Sequence, residues 1–160
     1  MTQVFESDNI SFVKVSELLI GDYLAMINDI ENVARLIGDR LEPIPEEKEL
    51  KWIRKKLEEK APIFSMIEKK TGEFIGNVEL MDVTDSGAEL GIAITAAKQN
   101  MGLGTEAVSA VVGHGMNVLG LRRIFLKVFP DNARAIRVYE KCGFREYDRT
   151  DTDVFMEITR

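Results

Sequence analysis

The 160-residue sequence is poor in the residues that disulfide and metal chemistry need, with one cysteine, Cys142, and one histidine, His114. A lone cysteine closes no internal disulfide, and one Cys with one His makes no ligand cluster, which argues against metal catalysis. There is no apolar run near the roughly 20 residues of a membrane-spanning helix, and the opening "MTQVFESDNI" lacks the basic and apolar regions of a signal peptide. These absences point to a soluble, cytoplasmic protein with no membrane partner. Basic residues are also in deficit, 21 against 27 acidic for a net charge of −6, so no general affinity for nucleic acid is expected. A cationic partner suits that sign. At 45% hydrophobic content the expectation is one domain, residues 1–160, around one core. The only hinge-like punctuation is "LEPIPEE" at 41–47.

Along the chain, strand and helix patterns alternate. "ISFVKV" (10–15) alternates as a strand, and "SELLIGDYLAMIND" opens a helix on Ser16, with Leu19, Tyr23, Met26 and Ile30 at helical spacing. "EEKELKWIRKKLEEK" puts Leu50, Ile53 and Leu57 on one stripe, with acids early, as the helix dipole favours. Three strand-like runs follow, "IFSMIEK" (63–69), "EFIGNVELMDV" (73–83) and "AELGIAIT" (88–95), separated by the turn signals "KTGE" and "TDSG". An antiparallel meander is expected there. A helix over 105–119 places Val108, Val111, Val112, Gly115 and Leu119 on one face; "RRIFLKVF" returns to strand. "NARAIRVYEKCG" is a last helix with Gly143 as a left-handed cap, and "FREYDR" and "DVFMEIT" form a final strand pair.

"KQNMGLGTEA" (98–107) lies between the strand at 88–95 and the helix that follows. There the backbone N–H groups of Gly102, Leu103, Gly104 and Thr105 can converge at a helix N-terminus, which attracts anions. Glycine allows close approach of a phosphate and a positive φ. A P-loop is disfavoured because no lysine follows Gly104, and the dinucleotide fingerprint G-x-G-x-x-G has Ala107 in its third glycine place. The glycines alone leave a plain strand-to-helix turn with no ligand equally open.

A second segment, "NARAIRVYEKCGF" (132–144), sets Asn132 and Tyr139 on one helical face, with Asn132 able to cap the start. The pair Q-x-x-G-x-G (Gln99, Gly102, Gly104) and N-x-x-A-x-x-x-Y-x-K-x-G-F (Asn132, Ala135, Tyr139, Lys141, Gly143, Phe144) resembles the GNAT superfamily of N-acetyltransferases. Through "IGNVEL", "AELGIAI" and "YEKCGF" it is most similar to the ribosomal-protein alanine and spermidine acetyltransferase branches. The resemblance covers about residues 74 to 145. It implies a mixed α/β, GNAT-like fold: a central, mostly antiparallel sheet of six to seven strands, splayed in the middle between "AELGIAIT" and "RRIFLKVF", flanked by about four helices. It also implies acetyl-CoA as co-substrate, with no metal. The pantetheine arm would pair with the main chain of Ile92, Ala93 and Ile94. The loop Gln99, Asn100, Met101, Gly102, Leu103, Gly104 and Thr105 would cradle the diphosphate, and Asn132 would meet the cofactor. A homodimer is a further expectation of the resemblance.

Acetyl transfer from a thioester to an amine has its own demands. An aliphatic amine of pKa about 10 must lose a proton, so a base or water chain is needed. The departing thiolate needs a proton, which Tyr139 suits, and the thioester oxygen needs a donor such as the N–H near Ile92. Glu89 is the first candidate base; alternation places it with Gly91 and Ala93, opposite Leu90, Ile92 and Ile94. Glu79 is the second, as base or as the carboxylate that holds a cationic substrate. Bland readings compete: both glutamates can be solvated strand positions, Cys142 reads as a buried inert thiol, and His114 reads as structural or exposed. The acceptor stays open between polyamine, protein N-terminus and small-molecule amine. The functional rivals are a non-catalytic acyl-CoA-binding or regulatory module and a nucleotide-dependent enzyme.

Overall fold

A computed structural model describes residues 1–38 and 40–160. Its strands are β1 (Gln3–Glu6), β2 (Ile10–Lys14), β3 (Ile63–Glu68), β4 (Phe74–Met81), β5 (Gly87–Ile94), β6 (Arg123–Val128), β7 (Arg145–Arg149) and β8 (Val154–Thr159). Its α-helices are α1 (Ile20–Ile27), the single turn α2 (Arg35–Ile37), α3 (Glu46–Glu58), α4 (Leu103–Asn117) and α5 (Ala133–Lys141). The strands form one mixed sheet in the order β1-β2-β3-β4-β5-β6-β8-β7. Eight strands exceed the expected six to seven because β1 was not foreseen; its residues are almost all exposed, so no apolar alternation marks it.

The chain divides into two compact units, residues 1–79 with 92–103, and residues 80–91 with 104–160. In the first unit β2, β3 and β4 are antiparallel, and α1 and α3 share a core of Leu19, Tyr23, Met26, Ile53 and Ile63. The start of α1 follows the expected signal: Ser16 sits in extended geometry, its hydroxyl accepts from Leu18 N–H, and a short 3-10 turn (Glu17–Leu19) leads into the helix. The stripe expected on α3 is rotated. Ile53 is fully buried, but Leu57 is 43% exposed and Glu49 only 6% exposed, so the inward face runs through Glu49, Trp52, Ile53 and Lys56. Burial pushes the Glu49 carboxyl upward, with the nearby positive charge of Arg40 opposing it.

Helix α4, which from Gly104 onward belongs to the second unit, begins at Leu103, two residues before the expected start, and buries Leu103, Ala107, Val108, Val111 and Val112. Leu119 does not continue that face. The helix ends at Asn117, Leu121 N–H reaches back to the Gly115 carbonyl, Gly120 adopts a φ of 74°, and Leu119 is 42% exposed. The parallel ladder between β5 and β6 holds only Gly87↔Arg123, Ala88↔Ile124 and Glu89↔Phe125. Strand β5 runs on to Ile94 and β6 to Val128, so among the described residues Leu90 and Gly91 are the first β5 positions without a β6 partner. The ladder between these strands thus ends at Glu89, within the second unit.

One glycine is required by close approach. At Gly76, beside a register shift in β4, an added Cβ would lie 2.0 Å from the Ala93 carbonyl oxygen and 2.9 Å from Ile94 Cα. Gly21, inside α1, has nothing within 4 Å of such an atom. Gly76→Ala is therefore expected to cost about 1–3 kcal/mol through overpacking, whereas Gly21→Ala should be neutral or stabilising by up to ~1 kcal/mol through helix propensity. Urea unfolding midpoints of the two variants check this contrast; equal midpoints would contradict it.

Candidate functional site

Strand β5 ends in a 3-10 turn (Ala96–Lys98), and the chain then passes through Asn100 at φ 62° and Gly102 at φ 81° before α4 begins. Left-handed backbone at two positions so close together suits asparagine and glycine, the residues found there. An added Cβ at Gly102 would meet nothing within 4 Å, so the dihedral rather than space selects glycine. Asn100 and Met101 are exposed, Leu103 is buried as an anchor, and Gly104 and Thr105 are half-buried in the first turn of α4. The N–H groups of a helix's first turn have no intrahelical acceptor, and the aligned peptide dipoles place positive charge at that end.

Two side chains hold this loop in the first unit, and neither tie was visible in the sequence. Gln99 donates through Nε2 to the Ile94 carbonyl at 2.9 Å and to the Asn32 carbonyl at 3.0 Å. Both of its N–H donors are thereby spent on the protein, so its first role is to fix the loop. Lys98 lies 2.9 Å from Glu68 and 3.0 Å from Glu73. These hydrogen bonds raise the lysine pKa and lower those of both carboxyls. The one lysine of the motif is thus committed to two carboxylates. Ile92, Ala93 and Ile94 end β5 and are half-buried.

The second unit carries the expected helix pair. Asn132 caps α5, its side-chain oxygen accepting from Ala135 N–H at 3.3 Å, and Gly143 closes it at φ 99° with Phe144 N–H on the Tyr139 carbonyl at 3.0 Å. Tyr139 lies in the last turn with its ring 5.9 Å from that of Phe144. Its residue surface is only half-buried, yet the protein around the phenol pushes its pKa up to about 12, burial being the main cause and the Cys142 sulfur the lesser one. The phenol is a proton holder across the neutral range. Cys142 is half-buried rather than buried: its Sγ donates to the Thr105 carbonyl and accepts from Ser109 Oγ, both at 3.4 Å. It joins the end of α5 to the first turn of α4. Glu89 is half-buried opposite Phe125. His114 is half-buried, and burial lowers its pKa, which keeps the ring neutral at pH 7.

Glu79, in β4 of the first unit, is half-buried and has Lys56 Nζ 4.0 Å from its carboxylate. On the same face Asn77 accepts from Ser65 Oγ at 2.8 Å, and Ser65 in turn bonds the Tyr23 hydroxyl. This polar chain also went unseen in the sequence, because its members come from three separate elements.

A family model described as the acetyltransferase (GNAT) domain matches residues 11–145. The chain belongs to the GNAT acetyltransferase family. Among relatives of this GNAT chain, a spermidine N(1)-acetyltransferase of Escherichia coli (strain K12) is 37% identical over 75 residues, covering 46% of this chain and 40% of that protein. The counterpart from Vibrio cholerae is 30% identical, covering 51% of this chain and 48% of that protein. The chain therefore matches half or less of these curated relatives' lengths. Among solved structures, the GNAT-family acetyltransferase from Bacillus anthracis superposes with a TM-score of 0.83 at 18% identity over 96% of both chains. The spermidine N-acetyltransferase from Vibrio cholerae in complex with CoA and spermine gives 0.82 at 20% identity, also over 96% of both. At such identities the likeness is one of fold. The resemblance carried by the glycine and tyrosine segments is borne out, and so is the mixed α/β fold it implied.

The loop assignment makes a stability prediction. Gln99→Leu removes both amide bonds, to the Ile94 and Asn32 carbonyls, a loss of about 1–3 kcal/mol. Urea denaturation reads this directly; an unchanged midpoint would show that Gln99 does not hold the loop.

Proposed function

We propose that this protein, acting as one N-acetyltransferase domain over residues 1–160, transfers the acetyl group of acetyl-CoA to a primary amine by direct attack in a ternary complex. The observation that carries the reading is the pairing, in one GNAT chain, of a left-handed Asn100–Gly102 turn opening α4 with Tyr139 at the end of a capped α5. The names of relatives that act on spermidine support an amine acceptor and a CoA-linked donor. No helix among the described residues is long and apolar enough to cross a membrane, and a cytoplasmic location is part of the proposal.

The residues take roles that their surroundings suit. Amides from Gly102 to Thr105 hold the diphosphate, with Gln99, Asn100 and Met101 shaping the loop, and the main chain of Ile92, Ala93 and Ile94 pairs with the pantetheine amides. Asn132 sets the start of α5 and contacts the cofactor. The amine gives up its proton to Glu89, directly or through water, with Glu79 as the second carboxylate. Tyr139, protonated across the working range, supplies the proton that the departing sulfur takes. The rival reading, an acyl-CoA-binding module without turnover, would keep the cradle and need no acid.

Tyr139→Phe tests the assignment. It should lower kcat by about 10²–10⁴-fold, the usual span for a general acid, with CoA affinity almost unchanged. Because the required form is the protonated phenol and its pKa is pushed up to about 12, its ionisation should place no falling limb on the rate below pH ~11. Steady-state rates from pH 6 to 10.5 check this. A parent protein that turns over no amine, or a Tyr139→Phe variant with full kcat, would reject the mechanism.

A further inference from the structure

The family reading leaves the acceptor amine open, and the buried polar chain of the first unit bears on it. That chain starts at a main-chain donor: Ser16 N–H donates to the Tyr23 hydroxyl at 3.1 Å. Tyr23 and Ser65, each 0% exposed, are joined hydroxyl to hydroxyl, and Ser65 Oγ lies 2.8 Å from the Asn77 side-chain oxygen.

A backbone N–H can only donate, so the chain has a direction. Tyr23 accepts from Ser16, and among the described residues its own proton has Ser65 to go to. Ser65, having accepted, gives its proton to Asn77. Reversing the run would bury a phenol proton with no acceptor, which folded proteins avoid. The oxygen of Asn77 is therefore the end of the chain, and its NH2 is turned away.

That nitrogen has no partner among the described residues. Since no fully buried side-chain N or O among them lacks a partner, it must reach the surface. Asn77 is half-buried, while Ser65, its register partner in β3, is fully buried. Two residues along the same strand face stands Glu79, with Lys56 already 4.0 Å from its carboxylate. On this face the two amide hydrogens of Asn77 stand beside the Lys56–Glu79 ion pair, whose charges offset each other, so the uncommitted group is the amide donor.

We propose that Asn77 is a specificity-determining residue whose side-chain N–H donates to a carbonyl oxygen of the acceptor, so that the substrate class is an amine carrying a nearby carbonyl, as at a peptide N-terminus. The inference rests on the amine acetyltransferase reading above. A fully protonated polyamine brings only donors and has nothing for Asn77 to bond. An α-amino group also suits the chemistry, since its pKa of about 7.7–8 leaves a large share unprotonated near neutrality. A site built to hydrogen-bond one substrate oxygen discriminates strongly against analogues that lack it.

The experiment compares kcat/KM for a short peptide with a free N-terminus, for spermidine and for 1,4-diaminobutane, in the parent protein, Asn77→Asp and Asn77→Leu. The aspartate keeps an oxygen for the Ser65 proton and replaces the donor pair with an acceptor, so folding is preserved while the recognition chemistry is inverted. The expected result is a parent preference for the peptide of tenfold or more, lost in Asn77→Leu, and reversed toward the diamines in Asn77→Asp. Thermal midpoints and CoA affinity of Asn77→Asp should match the parent. Turnover with spermidine ahead of peptide in the parent, or equal loss on all three substrates in Asn77→Asp, overturns this inference and leaves the acetyltransferase reading intact. Absence of turnover on every amine overturns that reading, and this inference with it.

Discussion

The backbone turn from Asn100 to Gly102 is the constraint on which the candidate site depends. Two residues in left-handed geometry take the chain from the end of β5 into α4, so that the helix begins at Leu103 with its positive end at the turn. Local conformation alone would not keep the loop there. Gln99 ties it to the carbonyls of Ile94 and Asn32, and Lys98 ties it to Glu68 and Glu73 across the end of the β3–β4 hairpin. Fixed amides need no reorganisation when charge arrives, which is the advantage of a preorganised cradle over mobile lysines.

The same division of labour recurs in the second unit. Asn132 and Gly143 fix the two ends of α5, and Cys142 joins its end to Thr105 and Ser109 in the first two turns of α4. Tyr139, one turn before the cap, is held where burial favours the neutral phenol. The proposed role of proton donor is served by such surroundings, because the acid form is populated over the full neutral range.

What could be read from the sequence was local. The Ser16 and Asn132 caps, the Gly143 terminus and the strand–glycine loop–helix order are each set within a few residues, and all are found. What could not be read needs residues far apart in the chain. The Gln99 bond to Asn32, the paired carboxylates of Lys98 and the Ser16–Tyr23–Ser65–Asn77 chain join separate elements, and no periodicity announces them. The misplaced stripe on α3 has a different cause. Leu50, Ile53 and Leu57 have helical spacing, but packing against α1 turns Glu49 and Trp52 inward and leaves Leu57 outside. Strand β1 went unseen because it is an edge strand with little buried surface, held by its ladder to β2.

The central claim is that main-chain amides at the opening of α4 bind the diphosphate of CoA. Proton–nitrogen correlation spectra of the labelled protein, titrated with CoA, test it most directly. The account predicts that the amide signals of Gly102, Leu103, Gly104 and Thr105 move furthest and downfield, as hydrogen bonding to an anion requires. Saturable binding that leaves these four signals in place while others move would contradict it.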